Sequence, residues 1–335
     1  MQKLRWGVLG VARIATNKVI PAMQRGSLTD VVAIASRDRE KANAAAKALG
    51  IQKAFGSYDA LIADADVEAV YIPLPNHLHA EWTARAAEAG KHVLCEKPIA
   101  MNASEARALL AVRDRTGRTI QEAFMVRTHP QWLKAREILR SGRVGELRAM
   151  TGFFSYFNAD PKNIRNITEY GGGALMDIGC YLVATARMTF EREPVRVIAA
   201  VERDPTLQTD RLTSVILDFG SGQAIGTCST QLVAYQRMNI LGTRGRIELE
   251  IPFNAPSDRP SVMLVDDGSD LGGAGIERIS FAAIDQYTVQ GDRFARTVRE
   301  KIAPAAPLED AVANMTAIDA LVRSVGTRCW EVLAW

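Results

Sequence analysis

Cysteine is scarce in this chain, and the four present are far apart and show neither CxxC nor Cys-His spacing: Cys95, Cys180, Cys228 and Cys329. No disulfide framework or metal-ligand pattern is indicated. We therefore expect reduced cysteines that are mostly buried as small hydrophobic residues.

Long apolar runs and runs of like charge are also missing. No run approaches the roughly 18 to 20 residues that span a bilayer, and the N-terminus enters a strand without the pattern of an export signal. The 41 basic and 38 acidic residues are interspersed, which leaves a diffuse net charge of +3. We expect a cytoplasmic protein with no nucleic-acid or membrane partner.

What is present suits a globular protein of two domains, since the chain has 335 residues of which 47% are hydrophobic. In the first part, short β-rich runs alternate with helical stretches, which predicts a doubly wound parallel sheet. These strands are predicted at Leu4–Leu9, Val31–Ala35, Val67–Leu74, His92–Leu94 and Thr119–Phe124. We place this α/β domain at residues 1–125.

In the second part, residues 126–335, strands follow one another without intervening helices, which predicts an α+β domain with a large open antiparallel sheet. The strands are predicted at Leu147–Phe157, Val195–Glu202, Ser214–Phe219, Gln223–Thr230, Arg237–Leu241 and Arg246–Glu250. One helix interrupts them near residues 174–188, and two more follow near 286–301 and 309–328. Because an open sheet must cover its exposed face, we expect a homodimer or homotetramer formed through this domain.

A glycine-containing turn, Gly10-x-Ala12-x-x-Ala15, joins the first strand to the first helix. In that context Gly10 can make the tight turn, and the helix N-terminus can bind a pyrophosphate. Ala12 stands where such motifs usually have a second glycine. A purely structural turn is the alternative.

The second strand ends in Ser36 and Arg37 instead of the acidic residue that usually binds the adenosine ribose of NAD. A hydroxyl and a guanidinium suit the 2′-phosphate of NADP. In the alternative, Asp38 caps the next helix and Arg37 is a solvated charge.

An apolar strand from His92 runs directly into Glu96-Lys97-Pro98. Proline stops the strand, so Lys97 is held at the carboxyl end of the sheet, where open α/β sheets bind ligands. His77 and His79 are two residues apart on a predicted helix and diverge, so no metal site is expected.

In the second part, the glycines before residue 174 allow a close backbone approach, and a helix with Asp177 and Tyr181 on one face follows. An alcohol dehydrogenase must move a hydroxyl proton, and every histidine lies before residue 130. Tyr181 is therefore the candidate acid/base, with Lys97 favouring its phenolate form. The alternative is a structural hydrogen-bonded pair of Asp177 and Tyr181.

Five segments together resemble the Gfo/Idh/MocA oxidoreductase family, and the resemblance spans nearly the whole chain. The segments are Gly7–Ala15, Pro75-Asn-His-Leu-His79, Glu96-Lys-Pro98, Glu122–Pro130 and Gly171–Tyr181. The resemblance implies an N-terminal Rossmann domain and a C-terminal domain with a large, mostly antiparallel sheet. Tyrosine at 181 resembles the branch with glucose-fructose oxidoreductase, dimeric dihydrodiol dehydrogenase and NADP-dependent aldose or xylose dehydrogenases.

The resemblance also implies site residues. NADP would be bound by Gly10, Ala12, Arg13, Ile14, Ser36, Arg37, Leu74, Pro75, Asn76, His79, Glu96, Lys97 and Arg127. The substrate would be bound by Lys97, Phe154, Arg165, Asp177 and Tyr181, of which Lys97, Tyr181 and Asp177 are catalytic. For Arg165 the alternative is an exposed loop charge.

The sequence thus predicts an NADP-dependent oxidoreductase acting on a cyclic sugar or polyol, most simply an aldose dehydrogenase or aldose oxidoreductase. A sugar 3-ketoreductase and a trans-dihydrodiol dehydrogenase are the enzymatic alternatives. Aromatic residues between 153 and 157 on one strand support the latter only if they share a face. An NADPH-binding redox sensor is the alternative without turnover.

Overall fold

The computed structural model describes residues 2–334 and divides into two compact units, each containing one sheet. One unit comprises the chain up to Thr128 together with Asp285–Val312. The other comprises His129–Ile284 together with the chain from Ala313 onward. The predicted boundary after residue 125 differs from this division chiefly because Asp285–Val312 returns to the first unit.

The strands in chain order are β1 (Leu4–Leu9), β2 (Thr29–Ala35), β3 (Lys53–Phe55), β4 (Ala69–Ile72), β5 (His92–Cys95), β6 (Ile120–Glu122), β7 (Leu147–Phe157), β8 (Arg196–Arg203), β9 (Asp210–Asp218), β10 (Gln223–Ser229), β11 (Gln231–Gly242), β12 (Arg246–Leu249), β13 (Ser261–Asp266), β14 (Ile276–Phe281) and β15 (Glu331–Val332).

The α-helices are α1 (Ile20–Arg25), α2 (Arg39–Leu49), α3 (Tyr58–Ile62), α4 (His79–Glu88), α5 (Ala103–Thr116), α6 (Pro130–Arg140), α7 (Cys180–Phe190), α8 (Gln286–Glu300) and α9 (Leu308–Thr327). Short 3₁₀ turns lie at Asn76–Leu78, Met125–Arg127, Ile164–Asn166 and Thr168–Tyr170. π-Helical turns at Ala15–Val19 and Leu175–Gly179 lead directly into α1 and α7. Within residues 2–334, no helix has both the length and the apolar character needed to cross a bilayer.

The first unit contains a parallel sheet in the order β3-β2-β1-β4-β5-β6. Its central strands are buried along nearly their whole length, as expected for apolar runs in a parallel sheet. Helices alternate with the strands, so the predicted doubly wound fold is confirmed.

Helix α8 packs against this unit although it comes late in the chain. The Phe294 ring lies 5.0 Å from the ring of the fully buried Trp6, and Thr288 Oγ1 donates a 2.8 Å hydrogen bond to the carbonyl of Ala22. Burying a phenylalanine contributes about 1.5 to 3 kcal/mol. These contacts explain why the segment belongs to the first unit.

The second unit contains a sheet in the order β14-β13-β12-β11-β7-β10-β9-β8-β15. Its pairs are antiparallel except for β7 with β10, so the predicted, mostly antiparallel sheet is confirmed. Helix α7 packs closely on it through Leu182, which lies between Gly152 of β7 and Gly226 of β10. A Cβ at either glycine would come within 2.8 Å of Leu182, so the two glycines permit this close packing.

Candidate active site

The turn after β1 has the shape that the glycine pattern predicts. Gly10 has a φ of +115°, and a Cβ there would lie 3.0 Å from Leu74 Cδ2, so both conformation and space favour glycine. Ala12 and Ile14 are partly exposed, Arg13 is exposed, and the helix begins at Ala15. This cradle, followed by the N-terminal turn of a helix, fits a dinucleotide pyrophosphate.

Arg37 follows β2 and lies close enough to Tyr58, at the start of α3, for its charge to act on the phenol. Burial raises the pKa of Tyr58, and the Arg37 charge opposes part of that effect. The Tyr58 hydroxyl lies 3.9 Å from the place of a Cβ on Gly10, which puts it beside the glycine turn. An exposed cation held there fits a 2′-phosphate. Sequence reasoning missed Tyr58, whose only local signal is the Ser57 cap before a short helix.

Asp38 does cap α2, because its carboxylate accepts hydrogen bonds from the N–H groups of Glu40 and Lys41. Ser36 Oγ accepts a 3.1 Å hydrogen bond from the Asp38 N–H. Asp38 therefore caps α2, while Arg37 lies beside Tyr58. A helix cap at Asp38 and a 2′-phosphate site at Arg37 are compatible.

His79 contacts backbone carbonyls on both sides of its ring, and its assignment to the cofactor stays a prediction. His79 is 1% exposed, and its ring nitrogens lie 2.6 Å from the Pro98 carbonyl oxygen and 2.7 Å from that of Leu74. The two carbonyls favour the protonated ring, whereas burial, the larger effect, lowers the pKa of His79 to about 4. Because both nitrogens face backbone, His79 joins the segments of Leu74 and Pro98 and positions them.

Lys97 comes after the last residue of β5, at the carboxyl end of the parallel sheet, and is partly exposed. The Lys97–Pro98 peptide bond is cis. Its neighbours are fixed: Glu96 accepts a 2.5 Å hydrogen bond from the Tyr71 hydroxyl, and Glu122 Oε1 accepts one of 2.8 Å from the Ile99 N–H. Leu74 is buried, whereas Pro75 and Asn76 are partly exposed. The end of β5 is therefore a rigid support for Lys97.

Arg127 forms an ion pair inside the first unit, and its contact with the cofactor stays a prediction. Its side chain is only 9% exposed and forms an ion pair with Asp310, within the same unit. A guanidinium this buried mainly supports the surrounding fold. The sequence does not indicate the ion pair of Arg127 with Asp310, because 183 residues separate the two partners.

In the second unit, Asp210 organises the start of the helix that carries the predicted acid/base. It accepts hydrogen bonds from the Leu175 N–H (2.7 Å) and Thr213 Oγ1 (2.7 Å). Burial raises the pKa of Asp210. Gly173 has a φ of +116°, and a Cβ there would lie 1.8 Å from Asp210 Oδ1. The glycine run therefore allows the chain to pass close to this carboxylate.

Asp177 lies in the π-helical turn before α7 and is held by two donors. Its Oδ2 accepts a hydrogen bond from the Tyr156 hydroxyl (2.5 Å) and another from Arg165 Nε (3.0 Å). The structure thus brings Asp177 and Arg165 together, as the sequence predicts. It places Arg165 in an ion pair with a carboxylate instead of in an isolated surface position.

Tyr181 begins the next turn and is 5% exposed. Its ring centroid lies 5.4 Å from that of Phe253 and 5.9 Å from that of Phe154, while Phe154 and Phe253 stack at 4.8 Å. Phe154 therefore supports the Tyr181 ring, and its direct contact with substrate stays a prediction. Lys97 and Tyr181 belong to different units, and their cooperation also stays a prediction. Among residues 2–334, no group of three or more His, Cys, Asp or Glu side chains is placed to hold a metal ion.

Comparison with known proteins covers both units. The model of an oxidoreductase family with an NAD-binding Rossmann fold matches residues 4–124, and that of the GFO/IDH/MocA C-terminal domain matches residues 132–248. An uncharacterised oxidoreductase of Rhizobium meliloti is 48% identical over 99% of this chain and 100% of its own length. The D-xylose 1-dehydrogenase (NADP(+)) 2 of Haloferax volcanii is 37% identical over 97% of this chain and 98% of its own.

Solved structures give the same result. The aldose-aldose oxidoreductase of Caulobacter crescentus, complexed with glycerol, superposes with a TM-score of 0.89 at 26% identity, covering 99% of this chain and 100% of that one. A 3-ketoreductase of Actinomadura kijaniata, in complex with NADP and TDP-benzene, has a TM-score of 0.88 at 30% identity, covering 96% and 98%. This chain belongs to the Gfo/Idh/MocA family and is an oxidoreductase with a Rossmann domain.

Proposed function

We propose that this protein is an NADP-dependent oxidoreductase that acts on a ring carbon of a cyclic sugar or polyol, as an aldose dehydrogenase or aldose oxidoreductase. The observation that carries the proposal is the Asp177 carboxylate, held by Arg165 and Tyr156 one turn before Tyr181. A carboxylate with a guanidinium beside it presents an acceptor and donors to adjacent hydroxyl groups, the recurring feature of sugars.

NADP fits the first unit, with the pyrophosphate at Gly10 and the helix N-terminus and the 2′-phosphate at Ser36, Arg37 and Tyr58. The relative from Haloferax volcanii is named as NADP-dependent, and the 3-ketoreductase was crystallised with NADP. When bound, the nicotinamide supplies the hydride chemistry. The side chains of the protein must then bind the alcohol and move its hydroxyl proton.

Tyr181 exchanges that proton in our proposal, with Asp177 and Arg165 orienting the neighbouring hydroxyls. The Lys97 ammonium assists by favouring the phenolate form of Tyr181. The proton leaves the substrate oxygen for the phenolate during oxidation and returns to it during reduction.

The test is NADP⁺ reduction across aldoses, polyols and dihydrodiols, followed by Tyr181→Phe and Lys97→Met on the best substrate. We expect each variant to lower kcat by about a hundredfold or more, with NADPH binding unchanged in Tyr181→Phe. Lys134→Met removes an exposed ammonium from α6 and serves as the matched control. Full turnover in Tyr181→Phe would refute the acid/base assignment.

A sugar 3-ketoreductase is the second candidate, favoured by the close superposition on such an enzyme. It would use the same groups in the reductive direction. Oxidation of free aldoses supports the first candidate, whereas NADPH consumption only with 3-keto sugars supports the second.

The structure gives less support to a trans-dihydrodiol dehydrogenase. The aromatic residues of β7 are divided between the two faces of the sheet: Phe154 and Tyr156 contact Tyr181 and Asp177, whereas Phe157 is 71% exposed. Turnover of dihydrodiols in the same screen would favour this activity nonetheless.

We also propose association of copies through the outer face of the second sheet. Ile225, Tyr235 and Phe157 are exposed large side chains on β10, β11 and β7. Apolar side chains in this number on adjacent strands are unusual for a surface that stays in water.

A further inference from the structure

Tyr156 lies on the face of β7 that packs against the helix of the proposed site. Side chains two residues apart on a strand share a face, so Tyr156 points the same way as Phe154. Phe154 contacts the ring of Tyr181, and Tyr156 reaches Asp177. One strand therefore supports both the predicted acid/base and the predicted substrate ligand.

Tyr156 and Arg165 both stabilise the Asp177 carboxylate. Its side chain is 11% exposed, and an ionised carboxylate so far removed from water needs donors to replace hydration. Both donors bind the same oxygen: the Tyr156 hydroxyl at 2.5 Å and Arg165 Nε at 3.0 Å. The Arg165 side chain is 40% exposed and can move, whereas the Tyr156 hydroxyl is carried by a ring in the sheet.

Resting on the proposed function, we infer that Tyr156 is a positioning residue: its hydroxyl keeps the Asp177 carboxylate ionised and oriented so that it accepts a hydroxyl of the substrate. This role differs from the one proposed for Tyr181. Tyr156 acts through Asp177 and does not exchange a proton with the substrate.

The electrostatic environment of Tyr156 suits a hydrogen-bond donor and not a base. Burial, followed by the negative charge of Asp177, raises the pKa of Tyr156 far above its ordinary value, and Arg165 offsets only part of this. The phenol of Tyr156 therefore keeps its proton at neutral pH. It can donate to a carboxylate, but it cannot serve as a base.

The test is Tyr156→Phe, assayed as kcat/KM against pH with saturating NADP⁺ and the best aldose of the panel. Loss of the hydroxyl removes a hydrogen bond to the ionised carboxylate. At a given pH a larger fraction of Asp177 is then protonated and cannot accept the substrate hydroxyl. We expect the acid limb to move to higher pH by about one unit and KM to rise about tenfold, with kcat changed only a few-fold.

Two further variants make the result specific. Ser104→Ala removes an exposed hydroxyl from α5 of the first unit, and we expect a wild-type profile. Arg165→Gln removes the second donor and should move the acid limb in the same direction. The double variant Tyr156→Phe/Arg165→Gln should depart from additivity, since both donors act on one oxygen.

Circular dichroism and NADPH binding establish that each variant is folded. If the wild type is active and Tyr156→Phe keeps its acid limb and KM, the inference is wrong while the proposed function stands. A lower kcat with an unmoved acid limb would also overturn it, because that result points to proton transfer by Tyr156. If the wild type turns over nothing in the panel, the proposed function is wrong and the inference falls with it.

Discussion

Arg37 is the residue on which the preference for NADP over NAD should depend. Arg37 is exposed, and its charge acts on Tyr58, near the glycine turn. A hydrogen bond between charged groups contributes about 1.5 to 3 kcal/mol, so we expect Arg37→Ala to raise KM for NADP⁺ by about tenfold to a hundredfold. KM for NAD⁺, which has no 2′-phosphate, should stay within about twofold.

Arg107→Ala is the matched control for this experiment, because it removes an exposed guanidinium from α5. Steady-state kinetics with both coenzymes measure the two KM values. An equal rise in KM for NADP⁺ and NAD⁺ in Arg37→Ala would mean that the guanidinium contacts a part of the dinucleotide other than the 2′-phosphate.

His129 should make stability depend on pH. Burial lowers its pKa to about 4, and the pKa values of His79 and His92 are also lowered to about 4. In the unfolded chain each ring takes up a proton near pH 6.5, so the unfolded state binds more protons between about pH 4 and 6.5. Stability is therefore complete above that window and falls within it, by about 1.4 kcal/mol per pH unit for each ring.

His129→Asn tests this because asparagine can still accept the hydrogen bond from the Gln131 N–H that caps α6. Urea unfolding at pH 7 and pH 5 measures the loss of stability on acidification. We expect the variant to lose less stability than the wild type. An identical loss of stability in the wild type and the variant would mean that His129 does not contribute to the pH dependence of stability.

The residues that sequence reasoning missed share one property: their partners are distant in the chain. Tyr156 reaches Asp177 across 21 residues, and Asp210 reaches Leu175 across 35. Asp177, Tyr181 and Lys97 are named by local motifs, and their roles stay predictions. The motifs that name His79 and Arg127 do not reveal that both side chains are largely buried among protein partners.

At the scale of elements, the helix that carries Asp177 begins at a position that only glycine fits. Gly173→Ala would impose a φ of +116° on alanine and push its Cβ into Asp210, which holds the Leu175 N–H. We expect a loss of about 2 to 4 kcal/mol of stability. Differential scanning calorimetry should show a lower Tm, and KM for the sugar should rise because the start of the helix shifts.

Gly326→Ala makes the same chemical change as Gly173→Ala, but we expect it to raise stability. Gly326 lies in α9, and a Cβ there would meet no heavy atom within 4 Å. Alanine should stabilise the helix by about 0.5 to 1 kcal/mol. A Gly173→Ala variant as stable as Gly326→Ala would show that the chain can move away from Asp210.

The elements that the sequence predicted well have clear periodicity or clear ends. Strands β1 and β7 match their predicted bounds, and glycine in the left-handed conformation ends α2 and α5. The three-residue β3 and the two-residue β15 are too short to show alternation and were missed, and the six-residue β13 and β14 were missed as well. The parallel pairing of β7 with β10 was also missed, because sequence order does not report which strands are neighbours.

At the scale of the whole molecule, the division of the chain was the least predictable feature. Helix α8 follows the second sheet in sequence, yet Phe294 packs on Trp6 and Arg299 forms an ion pair with Glu68 in the first unit. Its amphipathic pattern predicts that one face is buried but not which unit buries it. Contacts across more than 200 residues therefore decide the boundary.

The outer face of the second sheet leads to the last prediction, which concerns assembly. Ile225 is 47% exposed and Tyr235 46% exposed on strands that flank β7. If copies associate there, Ile225→Lys with Tyr235→Lys places two ammonium groups in an apolar interface, each costing several kcal/mol unless neutralised. Light scattering should then show a fall in mass to the 36.6 kDa of one chain.

Lys substitution at the exposed Val322 of α9 is the control that should keep the wild-type mass. An assembly unchanged by the double substitution would assign the interface to another surface.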